Sequence, residues 1–179
     1  MIKHGWLLRD DKQSWRVGGV DIDPATKTRR EEYNWVLDHI GRGCYQVLDA
    51  AAGYVPTWHE LPKMLAMQGY DVTAIDIDRR SLDMPPEQNV LRMLGDITNL
   101  PFANQSFDIV CCISVLEHLA PTQVVKAANE LIRVAKKQVL ITADNGWWLP
   151  ELFGCEEHIR NVPEEPTLNP PVYFLEINL

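Results

Sequence analysis

The chain has no apolar run approaching the roughly 18 residues that a membrane-spanning helix needs. Its opening stretch, MIKHGWLLRDDKQSW, is too polar for a secretory signal. Basic clusters are missing as well: Arg29-Arg30, Arg79-Arg80 and Lys136-Lys137 are isolated pairs in a chain of formal net charge −8. Phosphate repels such a surface unless basic groups gather locally, which disfavours a nucleic-acid partner. Cysteine is scarce, with Cys44, Cys111, Cys112 and Cys155 in no C-x-x-C spacing and the middle two inside an apolar run. They read as buried thiols in a reducing compartment, so a cytoplasmic location and no membrane association are expected. Glycine is thin where a nicotinamide enzyme needs G-x-G-x-x-G, because only Gly53 follows the first strand pattern.

What is present suits one folded domain. With 179 residues, 46% hydrophobic and 23% charged, the chain can bury a core without disulfides or metal. Residues 1–28 hold Trp6 and Trp15 but no clear periodicity, and read as an N-terminal arm or lid before a single domain over 29–179. Tyr33, Val36, Leu37 and Ile40 recur at helical spacing, with Gly41 and Gly43 as the stop. Short apolar strands follow at YQVLDA (45–50), YDVTAID (70–76), NVLRML (89–94), SFDIVCCIS (106–114) and KQVLIT (137–142). Leu61, Met64 and Leu65 mark a helix between the first two, its start placed near His59 or later because Pro56 and Pro62 suit only a first turn. Val124, Val125, Ala128, Leu131, Ile132 and Ala135 form the face of another helix, opened by Pro121. Apolar strands alternating with amphipathic helices define an α/β fold, a doubly wound and mostly parallel sheet covered on both faces.

The C-terminal part is short. After Thr142 come a short helix near Leu149–Phe153, an acidic and proline-rich loop over 155–171, and a closing strand in VYFLEINL. The expectation is a trimmed sheet of six strands, the last antiparallel beside the fifth because the loop is too short for a packed helical crossover. Its open edge calls for the acidic loop or for a second copy, a homodimer through the C-terminal strand.

In such sheets ligands bind beyond the carboxyl ends of the strands, where strand order reverses. Those ends carry Asp49, Asp76, Gly95-Asp96, Ser114 and Asp144. A carboxylate at the second strand end suits ribose, accepting from two hydroxyls at once, and Asp96 can accept from the exocyclic amine of a base. Acids also cap strand ends and helix starts without binding anything. Three in register on successive strand ends favour the ligand-binding reading.

VLDAAAGYVP, GYDVTAIDID and GDITNLPFANQSFDIVCCISVLEHL together resemble the class I methyltransferases that use S-adenosylmethionine, in particular the small type 11 members. The resemblance spans roughly residues 29–143 and implies a Rossmann-like sheet of order 3-2-1-4-5, with S-adenosylmethionine as the cofactor. It implies that Asp49 organises the loop and faces the methionine amino group, and that Gly53 lets backbone approach the cofactor. Asp76 would hold both ribose hydroxyls and Ile77 would pack on the adenine. Asp96 would accept from the adenine amine, the Ile97 N–H would meet a ring nitrogen, and the Ile113-Ser114 backbone would lie beside the methionine part. Where the family has glycines two, four and six residues after its first acid, this chain has Ala51, Gly53 and Val55. An alanine held at positive φ in that loop costs on the order of 1 kcal/mol.

Methyl transfer from a sulfonium is an in-line displacement, so the protein mainly aligns the nucleophile in a dry site and removes its proton. His118 with Glu117, an imidazole beside a carboxylate, is the candidate catalytic pair; the plainer reading makes it a helix-start pair packed on the next loop. Relatives with Glu-x-x-Glu-His at this point bind a divalent ion, but here Ser114 replaces the first carboxylate, and Glu157 or His158 would have to complete the set. No metal is expected. The chain has no Asn-Pro-Pro-Tyr or Asp-Pro-Pro-Tyr run and no Pro-Cys nucleophile. With the acidic charge, this points to a hydroxyl or amine of a small molecule or saccharide as acceptor. Trp147-Trp148, after the fifth strand, are placed to stack on such an acceptor or to pack the core. Two alternatives remain: a non-catalytic methyltransferase-like subunit, favoured by Ala51 and Val55, and a metal-dependent RNA-end 2′-O-methyltransferase.

Overall fold

The computed structural model describes residues 16–17, 20–21, 24–41, 43, 45–54, 60–154 and 172–179. Trp6, Trp15, Cys44, Val55, Pro56, Cys155, Glu157, His158 and the 155–171 loop lie outside the described residues. A small antiparallel ladder, β1 (Arg16–Val17) with β2 (Val20–Asp21), precedes helix α1 (Pro24–His39). The helix therefore begins five residues before the Arg29 boundary read from the sequence. Proline at the first helical position costs nothing, since its missing N–H would be unpaired there anyway.

The main sheet contains β3 (Gln46–Ala50), β4 (Asp71–Asp76), β5 (Val90–Leu94), β6 (Phe107–Ile113), β7 (Ala135–Asp144) and β8 (Val172–Asn178), in spatial order β5-β4-β3-β6-β7-β8. The first five are parallel, and β8 runs antiparallel beside β7, from Asp144↔Val172 to Gln138↔Asn178. This is the expected six-stranded sheet, its last strand antiparallel beside the fifth. Strand order reverses between β3 and β6, which opens the crevice where such sheets bind ligands.

Alternate residues of each strand feed two apolar layers. Val47, Val72, Ile109, Cys111 and Leu140 meet Tyr33, Val36 and Ile40 of α1 and Leu61 and Leu65 of α2 (Leu61–Met67). Leu48, Ala50, Ile75, Val110, Cys112, Val139 and Ile141 meet α3 (Pro121–Val134), Leu149 of α4 (Leu149–Phe153), and Leu175 and Ile177 of β8. Cys111 and Cys112 are fully buried, and burial pushes both thiols above their ordinary range. Along α3 the buried face is Ala127, Ala128, Leu131 and Val134. Val125, assigned to that face from spacing, is 50% exposed. Both 124 and 125 are apolar, and position 124 continues the i, i+3, i+4, i+7 stripe to 127, 128 and 131. Among the described residues no helix is long and apolar enough to cross a membrane.

Leu175 is 1% exposed inside the layer that α3 covers, so β8 is part of the core. Leu175→Ala is expected to destabilise the fold by about 2–5 kcal/mol in denaturant titration. A cost under about 0.5 kcal/mol would show that the strand is dispensable.

Candidate active site

The chain leaves β3 at Ala50 and turns at once: Ala51 has φ 66° and Gly53 φ 71°. The left-handed conformation at Ala51 is the strain expected of an alanine in a glycine position, about 1–2 kcal/mol. A Cβ on Gly53 would meet no atom within 4 Å, so its backbone faces open space. The loop is held from β4, because Asp76 Oδ2 accepts the Gly53 N–H at 2.7 Å and Oδ1 accepts the Asp78 N–H at 2.8 Å. Each oxygen keeps acceptor capacity for a hydroxyl. Ile77, next along, is 78% exposed. Asp96 is exposed, with Oδ1 accepting both the N–H and the hydroxyl of Thr98 at 2.8 Å, while Ile97 is anchored in the core.

The segment after Ile97 is fastened by an ion pair that sequence spacing did not single out. Arg133 forks onto Glu130 at 2.7 and 2.8 Å and donates to the carbonyls of Leu100 and Phe102 at 3.1 and 2.7 Å. Glu130 in turn accepts the Leu100 N–H at 2.7 Å.

Across the crevice, Ser114 has φ 51° and its N–H is shared between the Thr142 carbonyl at 2.9 Å and the Thr142 hydroxyl at 3.1 Å. Both hydroxyls, of Ser114 and Thr142, donate to Oε1 of Glu32 on α1, the Thr142 contact being 2.5 Å. Glu32 is 1% exposed, and burial raises its carboxyl above the ordinary range while Arg29 and the two hydroxyls pull it back. Arg29 lies 3.3 Å from Glu32 Oε2 and donates to the Ile113 carbonyl at 3.1 Å. Neither residue was identified from the sequence. The signal was a carboxylate four residues before Val36, on the apolar stripe of a helix. A second unforeseen pair, Glu60 and Arg92 at 2.5 Å, joins the start of α2 to β5 with side chains 11% and 10% exposed.

Asp49 is 3% exposed at the end of β3. Burial pushes its carboxyl up to about 7; Arg29 and Arg92 oppose the rise, and Asp76 and Glu60 add to it. Beyond β6, Glu117 Oε1 accepts the Asp144 N–H at 3.2 Å, whereas buried Oε2 has no hydrogen-bond partner among the described residues. Burial raises the Glu117 carboxyl, against its own backbone amide, that of Asp144 and the neighbouring His118. His118 is exposed. Trp147 is 69% exposed, and Trp148 packs partly buried against the core.

The sheet thus brings Asp49, Ala51, Gly53, Asp76, Ile77, Asp96 and Ile97 to the ends of β3, β4 and β5, with Ile113 and Ser114 across the switch point on β6. Bare backbone at Gly53, a carboxylate beside it and an uncovered apolar side chain at Ile77 fit an adenosine, with its ribose on Asp76. Among the described residues no three His, Cys, Asp or Glu side chains cluster as a metal site.

A fold of this order with an acid after each of its first three strands defines a nucleoside-binding α/β enzyme. A family model described as a methyltransferase domain matches residues 48–142, more than half of the 179-residue chain. The chain belongs to this family and is an S-adenosylmethionine-dependent methyltransferase of the class I, type 11 kind. Solved structures agree on the fold. The PH0226 protein of Pyrococcus horikoshii is 20% identical, with TM-score 0.63 over 87% of this chain and 92% of that one. Magnesium protoporphyrin IX methyltransferase of Synechocystis, solved with bound S-adenosylmethionine, is 17% identical, TM-score 0.64, over 87% and 79%. The 1,6-didemethyltoxoflavin-N1-methyltransferase of Burkholderia thailandensis is 18% identical, TM-score 0.63, over 84% and 77%. Several other solved neighbours are longer, this chain covering 51 or 52% of them. No curated protein matches the sequence.

Asp76→Ala removes the anchor of Gly53 and a carboxylate that fits a ribose, and is expected to weaken S-adenosylhomocysteine binding at least tenfold in calorimetry, since charge-assisted hydrogen bonds contribute about 1.5–3 kcal/mol each. An unchanged dissociation constant would remove Asp76 from the site.

Asp49 also makes stability depend on pH. Its folded pKa of about 7 lies above the ordinary 3.8, so the folded chain holds a proton that the unfolded chain releases between those values. Stability from this group is complete below about pH 4 and is lost as pH rises through 7. Asp49→Asn is therefore expected to outlast the wild type in thermal melts at pH 8, with the gap closing toward pH 4. A gap that does not change with pH would refute the buried, proton-holding Asp49.

Proposed function

We propose that the chain transfers the methyl group to a hydroxyl or amine of a small molecule or saccharide, and that Glu117 takes the proton the acceptor releases. The observation that carries this reading is the half-buried Glu117 carboxyl, whose second oxygen is buried without a hydrogen-bond partner among the described residues. It stands just past the carboxyl end of β6, where its other oxygen accepts the N–H of Asp144 at the end of β7. A carboxylate raised by burial is a stronger base than one in water, and an unmet acceptor oxygen accommodates an O–H or N–H. When bound, S-adenosylmethionine supplies an electrophilic methyl on sulfur. Asp76 and Gly53 hold the nucleoside end, the Asp49 carboxylate orients the amino-acid end, and Ser114 and Thr142 fix the backbone beside it. Glu117 accepts the proton as the acceptor's bond to carbon forms, with His118 beside it as the exposed relay to solvent. The net charge of −8 and the small-molecule names of two structural neighbours support a small acceptor over nucleic acid. The same reading keeps a cytoplasmic location and a homodimer through β8, which among the described residues pairs on one side only, with β7.

The test is turnover of a panel of small phenols, saccharides and amines, read as S-adenosylhomocysteine formed. Glu117→Gln is expected to lower kcat by about a hundredfold with cofactor affinity unchanged, and His118→Ala by less. Wild-type turnover should fall as pH drops through the raised Glu117 pKa. Normal turnover in Glu117→Gln would return Glu117 to a structural role, and a panel without any turnover would argue against this acceptor class.

A further inference from the structure

We propose that Arg133, in the last turn of α3, is a positioning residue for base recognition: it holds the turn after β5 so that the site takes adenine and rejects a 6-oxo purine. The role rests on the cofactor assignment above, with Asp96 and Ile97 at the base. Adenine offers an amine donor beside a ring-nitrogen acceptor. Hypoxanthine has the same outline but offers a carbonyl acceptor beside a ring N–H. A carboxylate next to a backbone N–H tells the two apart, provided both are held in register with the base edge.

Asp96 has the capacity to accept. It is exposed, and both contacts from Thr98 fall on Oδ1, which leaves Oδ2 without a hydrogen-bond partner among the described residues. Rigidity has to come from elsewhere, because residues 95–106, between β5 and β6, contain no helix. Their first turn is closed by the Asn99 N–H on the Asp96 carbonyl at 3.0 Å. The sheet fixes one end of that turn: the Gly95 N–H reaches the Asp76 carbonyl at 3.0 Å, and a Cβ on Gly95 would lie 2.3 Å from Ile75 Cδ1. Helix α3 fixes the other end at Leu100, whose N–H goes to Glu130 Oε2 at 2.7 Å and whose carbonyl accepts from Arg133 Nη2 at 3.1 Å. Arg133 Nη1 holds the Phe102 carbonyl at 2.7 Å and Asn104 Oδ1 at 3.0 Å, and the Arg133 carbonyl accepts the Gln105 N–H at 2.8 Å. Nε and Nη2 also donate to Glu130, at 2.7 and 2.8 Å. Every donor of the fork is therefore engaged, and Arg133 acts on the base only through the segment it holds. Lysine, with its donors on a single nitrogen, cannot span the same set. Released at Leu100, the turn keeps one anchored end, and Asp96 faces water as readily as the base.

The contribution can be read by changing the base alone. S-Adenosylhomocysteine and S-inosylhomocysteine differ only at the edge that Asp96 and Ile97 would read. In calorimetry the wild type is expected to bind the adenosine form about tenfold or more tightly than the inosine form. Arg133→Met is expected to bring that ratio to within about threefold by loss of S-adenosylhomocysteine affinity, while S-inosylhomocysteine stays within about twofold of its wild-type affinity. Binding of the inosine form also shows that the variant is folded. Arg133→Lys should narrow the ratio in the same way, and carries the comparison alone if Arg133→Met does not fold. An unchanged ratio would overturn the proposal, and so would equal weakening of both ligands, which would make Arg133 a support of the fold only. A wild type that binds both forms equally would remove Asp96 and Ile97 from the base, and the role of Arg133 with them. A wild type that binds neither would overturn the cofactor assignment itself.

Discussion

Asp76 accepts a backbone N–H on each carboxylate oxygen, one from Gly53 and one from Asp78, and the nucleoside end of the site is organised around it. The loop after β3 has few glycines, and its first turn residue, Ala51, is held in a strained left-handed conformation. Such a turn persists only where its surroundings over-determine it. Here they do, since the Ala52 N–H reaches the Ile75 carbonyl at 2.9 Å and the next amide reaches Asp76. The acid that ends β4 is therefore also the group that holds the loop at the switch-point crevice. The loss of glycines at 51 and 55 is compatible with a formed cradle because the ties run to β4 and do not depend on the loop's own freedom.

On the far side of the crevice the corresponding part is taken by a buried carboxylate from outside the sheet. Glu32 reaches down from α1 to the hydroxyls of Ser114 and Thr142, at the ends of β6 and β7. Burying a charge costs several kcal/mol unless it is paired and hydrogen-bonded; two hydroxyls and Arg29 supply that compensation. The result is that α1 is keyed to one position over the switch point. Trp35 of the same helix lies against Phe174 of β8, with ring centroids 5.2 Å apart, and Gln138 of β7 donates to the His39 carbonyl at 3.0 Å. The helix thus lies across β6, β7 and β8, and its register sets where Arg29 meets the Ile113 carbonyl.

The strands were legible because each is a short apolar run bounded by glycine, proline or acid, and parallel strands buried on both faces leave that pattern. Strand order came with the resemblance to class I methyltransferases, and the antiparallel β8 from the 155–171 loop, too short for a packed helical crossover. Individual acids at strand ends, Asp49, Asp76 and Asp96, were legible for the same reason: polar residues interrupt apolar runs only where the strand reaches solvent or ligand. Glu32, Arg29, Arg133 and the Glu60–Arg92 pair were not, because their importance lies in partners 30 to 110 residues away. Local spacing contains no record of such pairings. Val125 was misread because two adjacent valines satisfy a helical stripe equally well until the packing partner selects one.

The distribution of charge across the crevice bears on direction of turnover. Asp49, Asp76, Asp96, Glu117 and Asp144 all sit at carboxyl ends of strands or just beyond them, and Glu32 and Glu60 stand behind them. Burial raises Asp49, Glu32 and Glu117, and neighbouring acids add to it: Asp76 and Glu60 at Asp49, and Asp144 at both Glu32 and Glu117. A cationic ligand relieves that repulsion, and one that loses its positive charge gives the relief back. Two unit charges 4 Å apart interact by about 4 kcal/mol at the effective dielectric of a protein surface, so the difference is enough to matter after several such contacts are screened. A sulfonium cofactor carries one more positive charge than the thioether left after methyl transfer. Acids gathered around the crevice therefore favour a cationic sulfonium over a neutral thioether.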